Sequence, residues 1–316
     1  MNPLRYSLYL LCLGTFLILL TTCKKEGSEE ELKEIVIRTL LQDISADSIS
    51  NDVLWLQNMG SRFCLADNHR DVALKIRKKF RDMGYSDAEL DSFWVVKTFR
   101  NVMYEQMQYN VIASIEGTDY PDSACVVGGH YDDILTTTDL TVVPGANDNA
   151  SGTAAVLEIA RVMKENDYKP ESTIIFIAFG AEEIGLNGSR NFAGNPNGFS
   201  GKIRFMLNSD MIAYETSSTS ADWFINIMDY DNSHSLRHEA EAICNKYTLL
   251  NYTNDNTYNK QSDSYPFFTN GYKALFFFSG DSDPNYHTLN DVAANCNFAY
   301  CAEVVKLQCA LIADKN

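Results

Sequence analysis

The sequence predicts an α/β fold, a single-domain three-layer αβα arrangement around a mostly parallel central sheet. Three observations carry that expectation. Residues 173–179 (TIIFIAF) form an unbroken run of β-branched, aliphatic and aromatic side chains, as expected of a strand covered on both faces. Strand-like and helix-like runs alternate along most of the chain, which is the pattern of βαβ units. No Pro- or Gly-rich linker interrupts residues 31–316, so one domain accounts for them.

The elements follow in order. Helical spacing covers residues 31–41, 52–59 and 69–83, and Gly84 stops the last of these. Strand-like runs occupy 93–99, 109–115 and 124–128 (ACVVG). An Ala-rich helix spans 149–163, and the buried strand 173–179 comes next. Further strands are expected at 202–207, 223–228 and 274–278 (ALFFF), with helices at 234–247 and 298–313. In open sheets of this kind ligands bind beyond the carboxyl ends of the strands. Polar residues directly after an apolar run are therefore the first candidates for a site.

Composition narrows the function. The 316 residues carry 26 basic and 42 acidic side chains, a formal charge of −16. That balance excludes the basic face of a nucleic-acid binder, so no nucleic-acid partner is expected. In residues 1–22 the only charge is Arg5, which is followed by an apolar run to Leu20. The run is too short for a membrane span and fits the core of a signal peptide. Leu20-Thr21-Thr22-Cys23 resembles a bacterial lipobox, with Thr22 larger than the residue usually preceding the lipidated cysteine. The expected organisation is a lipoprotein-type signal peptide (1–22), a polar tether (23–31) after a lipidated Cys23, and one folded domain (32–316), with a plain signal peptide or an uncleaved anchor as the alternatives. Export and lipid anchoring in the bacterial cell envelope, at the outer membrane, follow from that reading. Six cysteines lie outside the leader and its lipidation candidate, at 64, 125, 244, 296, 301 and 309. An oxidising compartment permits disulfides among them, but their spacing fixes no pairing.

Four polar clusters follow apolar runs, and a fifth opens a helix. Gly129-His130-Tyr131-Asp132 follows ACVVG, and Gly145-Ala146-Asn147-Asp148-Asn149-Ala150-Ser151-Gly152 opens the Ala-rich helix. Ala181-Glu182-Glu183 follows TIIFIAF, Asp210 follows the strand at 202–207, and Tyr286-His287-Thr288 lies beyond ALFFF. Among these, His130, Asp148, Glu183, Asp210 and His287 supply imidazole and carboxylate, both good zinc ligands. Five are too many for one catalytic ion but suit two ions that share a carboxylate. Two ions about 3.5–4 Å apart can hold a hydroxide and stabilise the oxyanion formed when it attacks a carbonyl. Glu182, next to a ligand, is placed to take the proton.

With these residues in hand, the sequence resembles the co-catalytic zinc exopeptidases of the bacterial leucyl aminopeptidase and aminopeptidase Y type. The resemblance runs from about residue 51 to the C-terminus. It implies the zinc-exopeptidase (phosphorylase/hydrolase-like) architecture, with 32–316 as the catalytic domain and a peptide as the substrate. It further implies two zinc ions per chain, one on His130, Asp148 and Asp210 and one on Asp148, Glu183 and His287. Asp148 would bridge them, and Glu182 would be the general base of an aminopeptidase using a zinc-bridged hydroxide. Asp132 would be a catalytic-site carboxylate orienting His130. Ser262-Asp263, Pro266-Phe267 and Gly271 also match the segment before the last ligand, with Ser264 standing where a histidine is common.

Blander roles compete. Asp148 could act only as a helix N-cap, the Glu182-Glu183 pair only as charge near a helix start, and Asp210 only as a turn former. Asp291 reads as a local cap, and Tyr131 and Tyr286 read as packing residues. Two other functions share this fold: a single-zinc glutaminyl-peptide cyclotransferase, and a non-catalytic surface binding module.

Overall fold

The computed structural model describes residues 29–195, 199, 201–279 and 283–316. The expected signal peptide, Cys23 and most of the tether lie outside the described residues. The first described helix, α1, covers residues 29–42. Next come α2 (Ala46–Gln57), α3 (His69–Asp82), β1 (Glu89–Phe99), β2 (Val102–Ile115) and β3 (Tyr120–His130). The turn Ala146–Ala150 leads into α4 (Ser151–Glu165), followed by β4 (Ser172–Phe179), α5 (Asn187–Gly194) and β5 (Lys202–Ser209). The chain ends with β6 (Phe224–Met228), α6 (His234–Tyr247), β7 (Asn251–Thr253), α7 (Ser264–Thr269), β8 (Lys273–Ser279) and α8 (Phe298–Asp314). Among the described residues no helix is long and apolar enough to cross a membrane.

The eight strands among the described residues form one sheet in the order β1-β2-β4-β3-β5-β8-β6-β7. Its centre, β4-β3-β5-β8, is parallel. The β1-β2 hairpin, β2-β4 and β6-β8 are antiparallel, so the sheet is mixed towards its edges. β4 shows why the sheet has two covered faces. Ile174, Phe176 and Ala178 join one core with α1, α2, α3, α4, α6 and α8. Ile175, Ile177 and Phe179 join another with Phe192 of α5 and Phe267 of α7. Period-two alternation sends neighbouring side chains to opposite layers, which gives the expected three-layer domain.

Some boundaries differ from expectation, for physical reasons. Helix α2 starts at Ala46, not at 52, because the Ser45 hydroxyl caps it by accepting from the Ser48 amide. The polar stretch between them carries no apolar periodicity. The hairpin is longer than its apolar signal, with register from Glu89–Ile112 to Phe99–Val102. Its outer residues are solvated, so composition does not betray them. α5, α7 and β7 are too short to show a readable periodicity in the sequence. All six described cysteines are free thiols.

Candidate metal centre

The four parallel central strands end side by side, and their carboxyl ends carry most of the site. His130 is the last residue of β3, Asp210 follows β5, and Glu182-Glu183 lie shortly after β4. Asp148 comes from the turn before α4. His287 comes from the loop beyond β8. The structure brings all five expected ligands together, with Glu182 beside them.

Their spacing is informative. His130 Nε2 is 3.4 Å from Asp148 Oδ1 and 3.4 Å from Asp210 Oδ1. His287 Nε2 is 3.1 Å from Asp148 Oδ2 and 3.3 Å from Glu183 Oε2. Atoms at these distances crowd one another, yet Asp210 Oδ1 and His287 Nε2 have no hydrogen-bond partner. Ligands about 2.0–2.1 Å from a tetrahedral zinc stand about 3.3–3.4 Å from one another. The donor atoms are thus spaced as a shared cation would space them, rather than as hydrogen bonds. His130, Asp148 and Asp210 form one set that could hold an ion, and Asp148, Glu183 and His287 another. Asp148 faces one imidazole with each oxygen. A further grouping joins His130, Glu182 and Glu183, but Glu182 Oε2 stands back at 3.9 Å from His130 Nε2.

Local sequence explains the placement. Gly152, the last residue of Asp-Asn-Ala-Ser-Gly, lets α4 press against the end of β5; a Cβ there would lie 2.1 Å from the Ser209 carbonyl oxygen. Asn149, just ahead of α4, satisfies an amide of its first turn, its Oδ1 accepting from the Gly152 amide at 2.8 Å. The Asp148 carboxylate is left for the cavity. Ala181, Met211 and His287 all adopt left-handed φ (58°, 54° and 54°) although none is glycine. Such residues cluster at functional sites, where the surroundings impose the conformation. Here the Met211 carbonyl oxygen accepts from both the amide (3.0 Å) and the hydroxyl (2.6 Å) of Ser279.

Two expectations need refinement. The Asp132 carboxylate lies within ion-pair reach of His130, but the closer contact is made by its backbone. Its backbone carbonyl oxygen lies 3.1 Å from His130 Nδ1, while the carboxylate is 3.7 Å away. The carboxylate also accepts from the amides of Glu182 and Glu183, at 3.1 and 3.2 Å. The expected spacing is right, but the nearer atom is different. Asp291 is not a local cap. Its carboxylate accepts from the amides of Asn147 (2.7 Å) and Asp148 (3.0 Å), far away in sequence. Tyr131 is the packing residue expected, with its hydroxyl donating to the Tyr109 carbonyl oxygen. Tyr286 is more than that: it stacks on His287 at 3.8 Å and lines the cavity.

Ser262 carries no functional signal of its own in the sequence. Its hydroxyl donates to Asp210 Oδ2 at 2.6 Å and accepts from Asn208 Nδ2 at 2.6 Å. Only its place in the matching segment before the last ligand pointed to it. The cavity has an acidic floor and an apolar side made by Met211, Tyr258, Phe276, Phe278 and Tyr286.

Electrostatics describe the same pressure. Burial pushes Glu182 well above the ordinary carboxylate range, and Glu183, Asp263 and Asp210 add to the rise against the pull of His130. Burial and the Asp148 charge push Glu183 up to about 8. Burial opposes a charge on His130, but Glu182, Asp210 and Asp148 together hold it well above the ordinary imidazole value. Burial also opposes ionisation of Asp148; the two imidazoles outweigh it and lower its pKa. Carboxylates this crowded must retain protons or take up a cation, and a divalent ion bound here would displace those protons. The residues present fit such an ion.

Comparison with known proteins agrees with this geometry. The chain is 31% identical over 192 residues to a "probable zinc metalloprotease" of Leptosphaeria maculans, covering 57% of this chain and 44% of that protein. It is 26% identical over 284 residues to a "probable leucine aminopeptidase" of Arthroderma otae, covering 86% and 73%. The chain thus spans less than half the length of the first of these relatives. Among solved structures, LapB of Legionella pneumophila superposes with a TM-score of 0.72 at 25% identity, covering 88% of this chain and 74% of that one. A zinc aminopeptidase from Bacillus subtilis gives 0.71 at 18% identity, covering 86% and 95%. A glutaminyl cyclase from Bacteroides thetaiotaomicron gives 0.68 at 18% identity, covering 87% and 99%. Those last two likenesses speak for the fold alone. The profile of Peptidase family M28 matches residues 110–312, a span that holds every one of the converging side chains, and the chain belongs to that family.

Proposed function

We propose that this protein is a zinc-dependent aminopeptidase that holds two zinc ions and removes residues from the amino terminus of peptides. The observation that carries the reading is the pair of donor sets joined by Asp148, with each of its oxygens facing a different imidazole at 3.4 and 3.1 Å. When bound, the zinc would polarise the scissile carbonyl and acidify water. The chain's own residues do the rest. Asp148 would be shared between the two ions, with His130 and Asp210 completing one set and Glu183 and His287 the other. Glu182 takes the proton of the attacking water and returns it to the leaving amine. Its carboxylate stands 3.9 Å from His130 Nε2, set back from the donor atoms yet beside them, as a general base must be. Asp132 fixes the backbone of the Glu182-Glu183 pair.

The apolar side of the cavity supports substrates with a large apolar first side chain. The acidic floor, with Glu182, Glu183, Asp210 and Asp283, suits a free ammonium group more than a carboxylate. Two donor sets weigh against the single-zinc cyclotransferase.

The test is metal analysis of the purified chain with an aminoacyl-anilide screen. Two zinc per chain, with release of the anilide from Leu or Phe substrates that stops on chelation and returns with zinc, is the expected result. One zinc with ammonia loss from a Gln-initiated peptide points to cyclisation instead. Export and anchoring through a lipid on Cys23 are part of the proposal. They are tested by palmitate labelling of the wild type and a Cys23→Ala variant.

A further inference from the structure

Arg62 lies in the segment after α2 and is 0% exposed. It does not line the cavity. Its Nε donates to the carbonyl oxygen of Tyr131 at 2.8 Å, its Nη1 to that of Pro144 at 3.0 Å, and its Nη2 to that of Gly145 at 2.7 Å. Asp133 balances the charge: Oδ2 lies 3.2 Å from Nη1, and Oδ1 accepts from the Arg62 amide at 2.9 Å.

The carbonyls it grips belong to two segments that matter. Tyr131 directly follows His130. Pro144-Gly145 directly precedes the turn that carries Asp148. The chain between them, residues 131–145, has no regular structure. An irregular connection carries no ladder to fix the distance between its ends, and ordering it costs conformational entropy. Yet His130 Nε2 and Asp148 Oδ1 stand only 3.4 Å apart, and a ligand set functions only when held to within about 0.5 Å. The second segment is also held from its other side, where Asp291 takes the amides of Asn147 and Asp148. Its carbonyls thus face a cation and its amides face an anion. Gly145 permits the approach: its φ is +47°, and a Cβ would lie 2.7 Å from Arg62 Nη2.

We propose that Arg62, paired with Asp133, is a positioning residue for the metal centre. It clamps the His130 and Asp148 segments at the separation that a shared ion requires. The inference rests on the metal-dependent reading above. A planar fork is needed for the clamp, because an ammonium is a point charge that cannot reach three carbonyls in two segments.

The experiment compares the full chain with Arg62→Lys, which keeps the charge and loses the fork. Two quantities are read: zinc affinity by chelator competition, and amide hydrogen exchange over residues 146–149 in the metal-stripped protein. The expected result is a loss of about 10- to 100-fold in zinc affinity, the range for residues that orient ligands. Exchange over 146–149 should speed up without metal, and kcat should fall more than KM rises. The double variant Arg62→Leu/Asp133→Leu removes the pair without stranding a buried carboxylate, and should show the same losses. It carries the test if the lysine does not fold. A folded variant of either kind with parental zinc affinity and parental exchange overturns the proposal. A wild-type chain that binds no zinc and cleaves no peptide overturns the peptidase reading instead, and the exchange measurement then decides on Arg62 by itself.

Discussion

Asp132 holds His130 through its backbone carbonyl, 3.1 Å from Nδ1, and spends its carboxylate on the amides of Glu182 and Glu183. A carbonyl oxygen only accepts, so Nδ1 carries a proton and Nε2 is the atom left to face the cavity. One residue thereby fixes the tautomer of an imidazole on β3 and the backbone of two acids beyond β4.

This relationship makes a specific prediction for Asp132→Asn. The backbone carbonyl remains, so His130 keeps its orientation. The side-chain amide can accept from one of the two glutamate N–H groups but must turn its own donors towards the other. The disturbance therefore falls on Glu182 and Glu183. Activity should drop about 10- to 100-fold, with the weaker of two measured zinc affinities changing and the tighter one kept, if His130, Asp148 and Asp210 form the tighter site. Equal weakening of both would place the role of Asp132 at His130 after all.

Ser262→Ala tests the support of Asp210. The change deletes the donor to Asp210 Oδ2 and leaves the buried Asn208 side-chain amide without its acceptor. Leaving such a group unpaired costs about 1–3 kcal/mol. Thermal unfolding should fall by several degrees and zinc affinity should weaken. An unchanged melting temperature in both zinc-loaded and stripped protein would show that water replaces the hydroxyl at no cost.

What could be read in the sequence was what sits at strand ends. His130, Glu182, Glu183 and Asp210 each follow an apolar run, and the rule that ligands gather at the carboxyl ends of parallel strands joins them without any coordinates. Arg62, Ser262 and the true role of Asp291 could not be read this way. Each acts on a partner more than fifty positions away, and the partner atoms are often backbone, which has no sequence signature. The Asp132 case is subtler: a two-residue spacing is equally compatible with a carbonyl or a carboxylate contact, so the pattern gave the residue and not the atom. Short elements such as α7 escaped because so few residues show no periodicity.

Glu182→Gln separates binding from chemistry. Glutamine keeps the size and loses the ability to take a proton. Hydrolysis should fall about 10²- to 10⁴-fold, while the zinc content stays that of the wild type. Loss of zinc together with activity would make Glu182 a ligand, in line with its grouping with His130 and Glu183.

The apolar wall predicts selectivity. A leucine side chain entering beside Phe276, Phe278 and Tyr258 buries about three more methylene-sized groups than alanine. At about 0.8 kcal/mol each, Leu-anilide should exceed Ala-anilide by about 10- to 100-fold in kcat/KM. Phe278→Ala should narrow that ratio. A variant that lowers both substrates equally would place this wall outside the first side-chain pocket.

Metal removal should reverse the pH dependence of stability. In the stripped protein Glu183 is raised to about 8, chiefly by burial, and burial likewise raises Asp291 to about 7. The folded state therefore holds protons that the unfolded chain releases near pH 4–5, and stability falls as pH rises from there towards 8. His287 acts in the same sense. Despite burial, Asp148 and Glu183 raise it to about 10, so its contribution is complete below about pH 6.5 and is lost on the way to 10. Asp148 sets the acid limit, since its lowered pKa adds stability that disappears only when strong acid protonates it. The metal-free protein should thus melt highest in mild acid and lower with each step towards pH 9. Zinc competes with those same protons, so the zinc-loaded protein should gain stability over the stripped form as pH climbs from 5 to 8. Melting curves with and without chelator across that range give the comparison. Parallel curves would mean that the crowded carboxylates do not exchange protons for metal, and that these side chains are held together for some other reason.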